Sequence, residues 1–439
     1  MEETMKGLVF KIKWHLYKPN VISAYRELMK TQYLSLDEIL HNDELARRRI
    51  VEHAFLRTKF YNDLYSQHGF ALADIGTDGW FEKLPIVTKA HLQSRFEDFF
   101  DTRQRDWATI STTGGSTGVP TRTGHDRRLP VEAWSWRFLN WHGVTPWDDH
   151  AYVWRMRQTS LKNRFVNALL WWPTRHLKMD ASCMRGDDIC VFIRKYNELK
   201  PTLLQGYVGA IAQVAQYVLD NRLKVHTPKC VWTTSAPLGE VQRNLIVTAF
   251  RAPILDQYGS CEVDSIAQSC PICKGLHVNS EFVHVEYVDS HKRVVDVGSF
   301  GSALLTNLMD TVFPIIRYEN GDRGRYLDGC CSCGRNLPLI DSVKGRVSES
   351  FTLPSGRILS GEYLTTIFDS NPGVVKGFRV IQNKDYSITI EYIPNAADDS
   401  VKDTIRQFLN IVNGEVPVNL KVIKEIPHDR GKTRFVIRI

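Results

Sequence analysis

The sequence has no long apolar run and only a small excess of charge. None of its 439 residues belongs to a stretch of 18 consecutive apolar residues, so the sequence predicts no membrane-spanning helix. The first residues lack the pattern of a secretory signal, because lysines interrupt the apolar residues that follow Met5. The formal charge of +7 is modest and its basic residues are dispersed, which argues against a nucleic-acid-binding protein. Internal repeats and low-complexity tracts are absent too.

Nine cysteines, an odd number, do not suit a framework of paired disulfides. Together with the missing secretory signal, they predict free thiols in a reducing, cytoplasmic compartment. The content of 43% apolar and 24% charged residues is typical of a globular protein with ample material for a core.

Apolar patterning divides the chain into stretches of different character. Residues 20–66 have apolar side chains at helical spacing, which predicts helices. Residues 107–345 alternate short β-branched runs with helical segments, as in an α/β layered domain. After Arg346, a hairpin, an amphipathic helix and two strands are predicted. Residues 8–14 fit either a short strand or a surface-associating arm.

Residues 111–120 concentrate three glycines and five hydroxyl residues in one turn. Such a turn exposes consecutive backbone N–H groups, and its hydroxyls can contact phosphate oxygens. It differs from the Walker loop, because Val119 and Pro120 follow Gly118 in place of a lysine and a hydroxyl residue. A phosphate-binding loop is one interpretation and a flexible connection is the other.

Two cysteine-rich turns have the spacing of metal ligands. A Cys-x₂-Cys turn is followed about sixty residues later by a Cys-Cys-Ser-Cys turn. Four thiolates from two such turns make a closed tetrahedral site, which predicts structural zinc. The predicted ligands are Cys270, Cys273, Cys331 and Cys333. Cys330 and His277 are alternatives for one position, and buried free cysteines are the alternative to a metal.

The 111–120 loop and eight further segments stand in the order found in adenylate-forming enzymes. The other segments are residues 84–89, 200–207, 234–238, 256–262, 314–322, 331–335, 344–346 and 430–434. The series resembles the branch of phenylacetate–CoA ligase and the capsule-biosynthesis proteins, from about residue 50 to the end of the chain. Each segment alone is common, so their order is what supports the resemblance.

The resemblance implies an enzyme that uses ATP and Mg²⁺ to activate a small carboxylic acid as its acyl-adenylate, with release of pyrophosphate. The acyl group would then pass to a thiol, on CoA or a carrier protein, or to an amine. The implied fold is α/β, with a large layered N-terminal domain (residues 1–345) and a small mobile α+β lid domain (residues 346–439). No nucleic acid and no membrane span are expected, and a homodimer is compatible with the pattern.

The resemblance places the nucleotide among several segments. Glu262 corresponds to the magnesium-associated acid, which fits because Mg²⁺ favours one or two carboxylates plus phosphate oxygens. Asp322 corresponds to the carboxylate that accepts hydrogen bonds from the ribose hydroxyls. Tyr258 corresponds to the aromatic residue that faces adenine. The other implied nucleotide-binding residues are Thr112, Thr113, Gly114, Gly115, Ser116, Thr117, Gly118, Ala236, Pro237, Asp256, Gly259 and Ser260.

The implied catalytic residues lie towards the C-terminus. Lys432 corresponds to a lysine on a mobile loop that bridges the substrate carboxylate and the α-phosphate, and its long stem suits that reach. Arg346 corresponds to an arginine near the ribose and α-phosphate. Ser348 stands where the family usually has an acidic hinge residue, but a hinge needs only tolerant backbone angles. Residues 351–357 follow the capsule-biosynthesis pattern, which leaves CoA as acceptor open.

Two other functions are compatible with the residues. One is a zinc-knuckle protein that binds nucleic acid, whose affinity would fall steeply with salt. The other is a catalytically degenerate relative, which would bind ATP but show no acid-dependent pyrophosphate exchange.

Overall fold

A computed structural model describes most of the chain. The described residues are 5–113, 121–154, 161–181, 184–235, 238, 240–272, 275–341, 351–355, 357–359, 375–394, 398–412, 414–424 and 436–438. Several residues named above lie outside these ranges: Gly114, Gly115, Ser116, Thr117, Gly118, Ala236, Pro237, Cys273, Arg346, Ser348 and Lys432. The predicted domain boundary at 345/346 lies outside them as well.

Helices form the N-terminal part. They are α1 (Met5–Tyr17), α2 (Pro19–Thr31), α3 (Leu36–Arg57), α4 (Lys59–Gln67) and α5 (Lys89–Ser94). The Ser35 hydroxyl accepts a hydrogen bond from the Glu38 N–H, and the Glu38 carboxylate accepts one from the Ser35 N–H, so a capping box starts α3. The helices predicted for residues 20–66 are therefore confirmed, and residues 8–14 belong to a helix.

The predicted phosphate loop connects two strands. Strand β1 (Ala108–Thr113) pairs antiparallel with β2 (Thr121–Asp126), and Thr113 stands opposite Thr121. Residues 114–120 therefore join the two strands at the end where Thr112 and Thr113 lie. Helix α6 (Val131–Trp141) follows, and its aromatic residues are buried in the main core.

A mixed eight-stranded sheet forms the centre of the large N-terminal region. Its helices and strands in chain order are β3 (His150–Trp154), α7 (Leu161–Trp171), β4 (His176–Asp180), α8 (Gly186–Leu199), β5 (Leu203–Tyr207), α9 (Val208–Asp220), β6 (Cys230–Thr234), α10 (Glu240–Phe250), β7 (Ile254–Tyr258), β8 (Ala267–Ser269) and β9 (Leu276–Val278). The order β4-β3-β5-β6-β7 is parallel, so the carboxyl ends of these strands meet at one edge. Strands β8 and β9 extend the sheet antiparallel beyond β7.

A three-stranded antiparallel sheet packs near that edge. Its strands are β10 (Val283–Val288), β11 (Gly301–Asn307) and β12 (Tyr318–Gly324), and β13 (Leu339–Ile340) then returns to the central sheet beside β9. The β11–β12 register shifts between Ser302 and Leu304, which forms a bulge in β12. A parallel bridge from Val87 to Tyr318 ties the segment before α5 to β12.

The C-terminal part has its own sheet and core. It contains β14 (Phe351–Thr352), β15 (Ile358–Leu359), β16 (Val375–Gln382), β17 (Ile388–Pro394), α11 (Asp398–Val412), β18 (Val418–Val422) and β19 (Val436–Arg438). The strand order is β18-β17-β16-β19, and Val401, Ile405 and Phe408 of α11 belong to a hydrophobic cluster with that sheet. The predicted α/β region followed by a small α+β unit is thus confirmed. Among the helices in the described ranges, none has both the length and the apolar character needed to cross a bilayer.

Candidate active site

A tight turn after β7 places Glu262 at the carboxyl edge of the central sheet. Ser260 fixes this turn, because its N–H donates to the Val263 carbonyl and its hydroxyl accepts from the Val263 N–H, both at 3.0 Å. Glu262 is buried, and the Tyr318 hydroxyl donates to its Oε1 at 3.1 Å. A buried carboxylate with an aligned donor is held in one orientation.

A second set of polar side chains lies around Asp322 on β12. The Tyr258 hydroxyl donates to Asp322 Oδ2 at 2.9 Å, and Asn320 Nδ2 donates to the same oxygen at 2.6 Å. Asn320 Nδ2 also donates to the Tyr258 hydroxyl at 2.8 Å, and its Oδ1 accepts from the Asp322 N–H at 3.0 Å. Burial first, and the nearby Asp322 charge second, raise the pKa of Tyr258 well above its ordinary value, so the phenol stays protonated. The three side chains form one network between β7 and β12.

The bulge in β12 explains how Asp322 joins this network. Gly321 has a φ of 85°, a left-handed conformation that favours glycine. A bulge with such a residue bends the strand and re-aims the side chains beside it. Gly321 therefore provides the local backbone that presents Asn320 and Asp322 to Tyr258.

The β1–β2 hairpin reaches the same region through His125. Burial lowers the pKa of this imidazole, while the Glu262 charge and a hydrogen bond with the Cys261 backbone act in the opposite direction. Strand β2 therefore lies against the turn that carries Glu262. The structure brings together the hairpin, Glu262 and Asp322, three features that are far apart in the sequence.

The remaining predicted nucleotide-binding residues occupy different positions. Asp256 is buried within β7, where burial raises its pKa to about 6 against the attraction of Arg243 and a hydrogen bond with Thr233. Gly259 starts the tight turn, and a Cβ there would lie 3.3 Å from the Ser265 backbone nitrogen. Ser235, directly before Ala236 and Pro237, has a φ of 74°. Asp256 is therefore a buried residue of the central sheet.

The sequence analysis assigned no role to three residues of this region: His125, Tyr318 and Asn320. Alternation along β12 ahead of Gly321 would have placed two of them, Tyr318 and Asn320, on one face of the strand. His125 has no comparable signal. Its place follows from the antiparallel pairing of β2 with β1 and the packing of that hairpin.

A cluster of sulfur and nitrogen atoms lies at the antiparallel end of the central sheet. Cys270 follows β8, His277 is the middle residue of β9, and Cys331 and Cys333 lie in the turn before β13. The ligand atoms of these four side chains all lie within 4.8 Å of one another. Three of the four predicted cysteines are thus together, and the alternative His277 is the fourth member.

Two of the distances within this cluster are close to those between ligands of a tetrahedral ion. Cys270 Sγ and Cys331 Sγ are 3.6 Å apart, and Cys333 Sγ and His277 Nε2 are 3.5 Å apart. Zinc–ligand bonds of about 2.0–2.3 Å give tetrahedral edges of about 3.3–3.8 Å. Cys331 and Cys333 are not joined in a disulfide, and Cys330 is exposed.

Two curated proteins are similar to this chain in sequence. No protein-family model matches the chain. Protein CapK of Staphylococcus aureus is 24% identical over 272 residues, which are 60% of this chain and 58% of CapK. Phenylacetate-coenzyme A ligase of Escherichia coli (strain K12) is 23% identical over 332 residues, which are 71% of this chain and 72% of that ligase.

The fold is similar to that of solved ligases. A crystal structure of 2-hydroxyisobutyryl-CoA ligase in complex with 2-HIB-AMP and CoA has a TM-score of 0.62 at 18% identity, over 92% of this chain and 89% of that chain. The same ligase in the postadenylation state with 2-HIB-AMP has a TM-score of 0.58 at 17% identity. The chain thus has the fold of these ligases, and its sequence is similar to CapK and to phenylacetate-coenzyme A ligase.

Proposed function

We propose that the protein activates a carboxylic acid with ATP and Mg²⁺ and then transfers the acyl group to a thiol or an amine. The main support is the placement of Glu262 and Asp322. Tyr318 orients the first carboxylate, and Tyr258 and Asn320 orient the second, beside the hairpin that carries the glycine-rich loop. The E. coli relative is a CoA ligase, so CoA is the first acceptor to test.

The chemistry explains why oriented carboxylates matter. In adenylation, an oxygen of the substrate carboxylate attacks the α-phosphorus, and the bond to the β-phosphate breaks to release pyrophosphate. Both reactants are anions, so the site must hold them in line and neutralise their charge. Glu262 would hold Mg²⁺ together with phosphate oxygens. Asp322 would accept hydrogen bonds from the ribose hydroxyls.

We also propose that the Cys270–His277–Cys331–Cys333 cluster binds a structural Zn²⁺. Four protein ligands complete a tetrahedron and leave no position for substrate, so the ion would stabilise the fold. It would join the β8–β9 end of the central sheet to the turn before β13. Cys273, which lies outside the described residues, is replaced by His277 in this proposal.

Pyrophosphate exchange tests the proposed activity. With a library of carboxylic acids, we expect at least one acid to give exchange of labelled pyrophosphate into ATP that requires Mg²⁺. ATP binding by calorimetry without exchange for any acid would identify a degenerate relative and contradict the proposal.

Changing Gly321 to alanine should weaken ATP binding while leaving the protein folded. A Cβ at this left-handed position costs about 1–2 kcal/mol, and relief of that strain would displace Asp322. We expect KM for ATP to rise about tenfold in the exchange assay. Gly329→Ala is the matched control, because Gly329 has a φ of 83° and no atom within 4 Å of a built Cβ. An equal change of KM in both variants would contradict the assigned role of Asp322.

Changing Lys432 to alanine should slow adenylate formation about a hundredfold, with ATP affinity changed less than about threefold. The reason is that its ammonium group would neutralise charge that develops only in the transition state. Single-turnover rates and calorimetry measure the two quantities separately. Lys424→Ala, an exposed lysine earlier in the same part of the chain, is the control. Equal losses of rate and affinity would reverse this assignment.

A further inference from the structure

Asp310 is a buried carboxylate to which the proposed chemistry assigns no role. It lies in the segment between β11 and β12 and is only 1% exposed. Its Oδ1 accepts hydrogen bonds from the Val312 N–H at 3.0 Å and from the Phe313 N–H at 2.9 Å, which closes a local turn. Its Oδ2 accepts from the N–H of Asp126, the last residue of β2, at 3.0 Å. One oxygen therefore shapes the turn, and the other connects that turn to β2.

The contact between Asp310 and β2 is a strong one for its length. Burial raises the pKa of Asp310 to about 7, and its hydrogen bonds with backbone N–H groups act in the opposite direction. Breaking a hydrogen bond inside the protein is costly, because it leaves a buried donor or acceptor without a partner. At the other end of β2, Gln93 Nε2 donates to the Thr121 hydroxyl at 3.3 Å, a longer contact that is only partly buried. The contact with Asp310 is therefore the stronger of these two.

Strand β2 also packs tightly against the turn that Asp310 closes. A Cβ atom built on Gly124 would lie 2.8 Å from ring atoms of both Phe100 and Phe313, so the backbone of β2 rests directly on these two rings. The next residue, His125, has a hydrogen bond with the backbone of the turn after β7. Strand β2 is therefore held between these two turns.

The 310–313 turn leads into the strand that carries part of the candidate site. The Tyr61 hydroxyl donates to the Pro314 carbonyl at 3.2 Å and accepts from the Ile316 N–H at 2.9 Å, so the segment after the turn is fixed in place. Strand β12 begins two residues later and carries the polar network around Asp322. The turn thus joins the β1–β2 hairpin to β12.

We propose that Asp310 is a positioning residue for the triphosphate of ATP. Its hydrogen bond to β2 sets where the hairpin end with Thr112 and Thr113 lies relative to Glu262 and Asp322. The inference rests on the proposed function, in which the glycine-rich loop contacts the β- and γ-phosphates while β7 and β12 contact the nucleoside. Loss of the hydrogen bond should therefore weaken the contacts with the terminal phosphates and leave those with adenosine intact.

Calorimetry with the Asp310→Asn variant tests this inference, with MgATP and AMP as ligands at about pH 8, above the pKa of Asp310. The asparagine oxygen can still accept from Val312 and Phe313, so the local turn should remain. Its NH₂ group would face the Asp126 N–H, and two donors cannot form a hydrogen bond. We expect Kd for ATP to rise about tenfold and Kd for AMP to change less than about twofold.

Asp385→Asn is the matched control, because Asp385 accepts from the Ser387 N–H at 3.0 Å within the local turn between β16 and β17. Both affinities should equal those of the wild type in this control. Equal losses of ATP and AMP affinity in Asp310→Asn would indicate a general structural role. Unchanged ATP affinity would show that the hydrogen bond does not position the hairpin. Either result overturns the inference.

Gly124→Ala provides a second test if Asp310→Asn does not fold. Its methyl group would push β2 away from Phe100 and Phe313, so the same selective loss of ATP affinity is expected. Equal losses for ATP and AMP in this variant would overturn the inference as well. A wild-type protein that binds neither nucleotide would contradict the proposed function itself, whereas equal losses in the variants would leave the proposed function intact.

Discussion

Replacing Glu262 by glutamine should slow acid-dependent pyrophosphate exchange about 10³-fold. Glutamine has the same length, and its carbonyl oxygen can still accept the hydrogen bond from Tyr318, so the turn after β7 should keep its shape. The substitution removes the negative charge through which Glu262 would hold Mg²⁺. We therefore expect unchanged thermal stability and a higher Mg²⁺ concentration for half-maximal residual activity.

Two controls separate this charge from other effects. Glu319→Gln makes the same chemical change on β12, where Glu319 pairs with Lys292 at 2.6 Å and is only half-buried, and exchange should be unchanged. Tyr318→Phe removes the orienting hydroxyl but keeps the Glu262 carboxylate, so a loss of about tenfold or less is expected. Similar losses in Glu262→Gln and Glu319→Gln would rule out a specific magnesium role for Glu262.

The local spacing of apolar residues was sufficient to predict most of the fold, but it did not predict α1. The alternation of strands and helices in residues 107–345 predicts the layered sheet because each run is long enough to show its period. In α1, Leu8, Phe10, Ile12 and Trp14 fit a strand by alternation. They form a helix whose interior face is Phe10 and Trp14 and whose other face is exposed. Both faces of α1 are apolar, so periodicity alone could not distinguish the two structures.

In the candidate site, the sequence pattern could not predict one of the contacts. The ordered motifs identified Glu262, Tyr258 and Asp322 but gave no role to Asn320, which precedes Gly321 in a dipeptide typical of turns. In the structure the same dipeptide forms a bulge within β12. Whether Asn-Gly makes a turn or a bulge depends on the strand opposite, and that pairing is a tertiary property. The roles assigned to these residues remain predictions.

The metal ligands illustrate the same point. Cysteine spacing predicts two turns that meet, and Cys270, Cys331 and Cys333 do lie together. His277 joins them because β9 pairs with β8 on one side and with β13 on the other, which places its middle residue beside both turns. That register could not be obtained from the spacing of the cysteines.

Loss of the proposed zinc should destabilise the large domain strongly. Thiolate–zinc binding contributes about 10 kcal/mol or more in small zinc-dependent folds, and a larger core should reduce this dependence to roughly 5 kcal/mol. We expect Cys331→Ser and His277→Ala to lower the melting temperature by about 5–7 °C. The purified wild-type protein should contain about one equivalent of zinc by elemental analysis. Removal of the metal with a strong chelator should reproduce the loss of stability.

Cys330→Ser is the matched control for this prediction, because Cys330 is adjacent to Cys331 in sequence yet exposed. Its zinc content and melting temperature should equal those of the wild type. A structural ion also predicts that Cys331→Ser retains most of its pyrophosphate exchange at temperatures where it is folded, since no ligand position is open to substrate. Loss of zinc in Cys273→Ser with full retention in His277→Ala would replace His277 by Cys273 in the ligand set. Less than about half an equivalent of zinc in fresh wild-type protein would leave the four side chains as a buried thiol cluster, and the stability of this end of the sheet would then rest on packing alone.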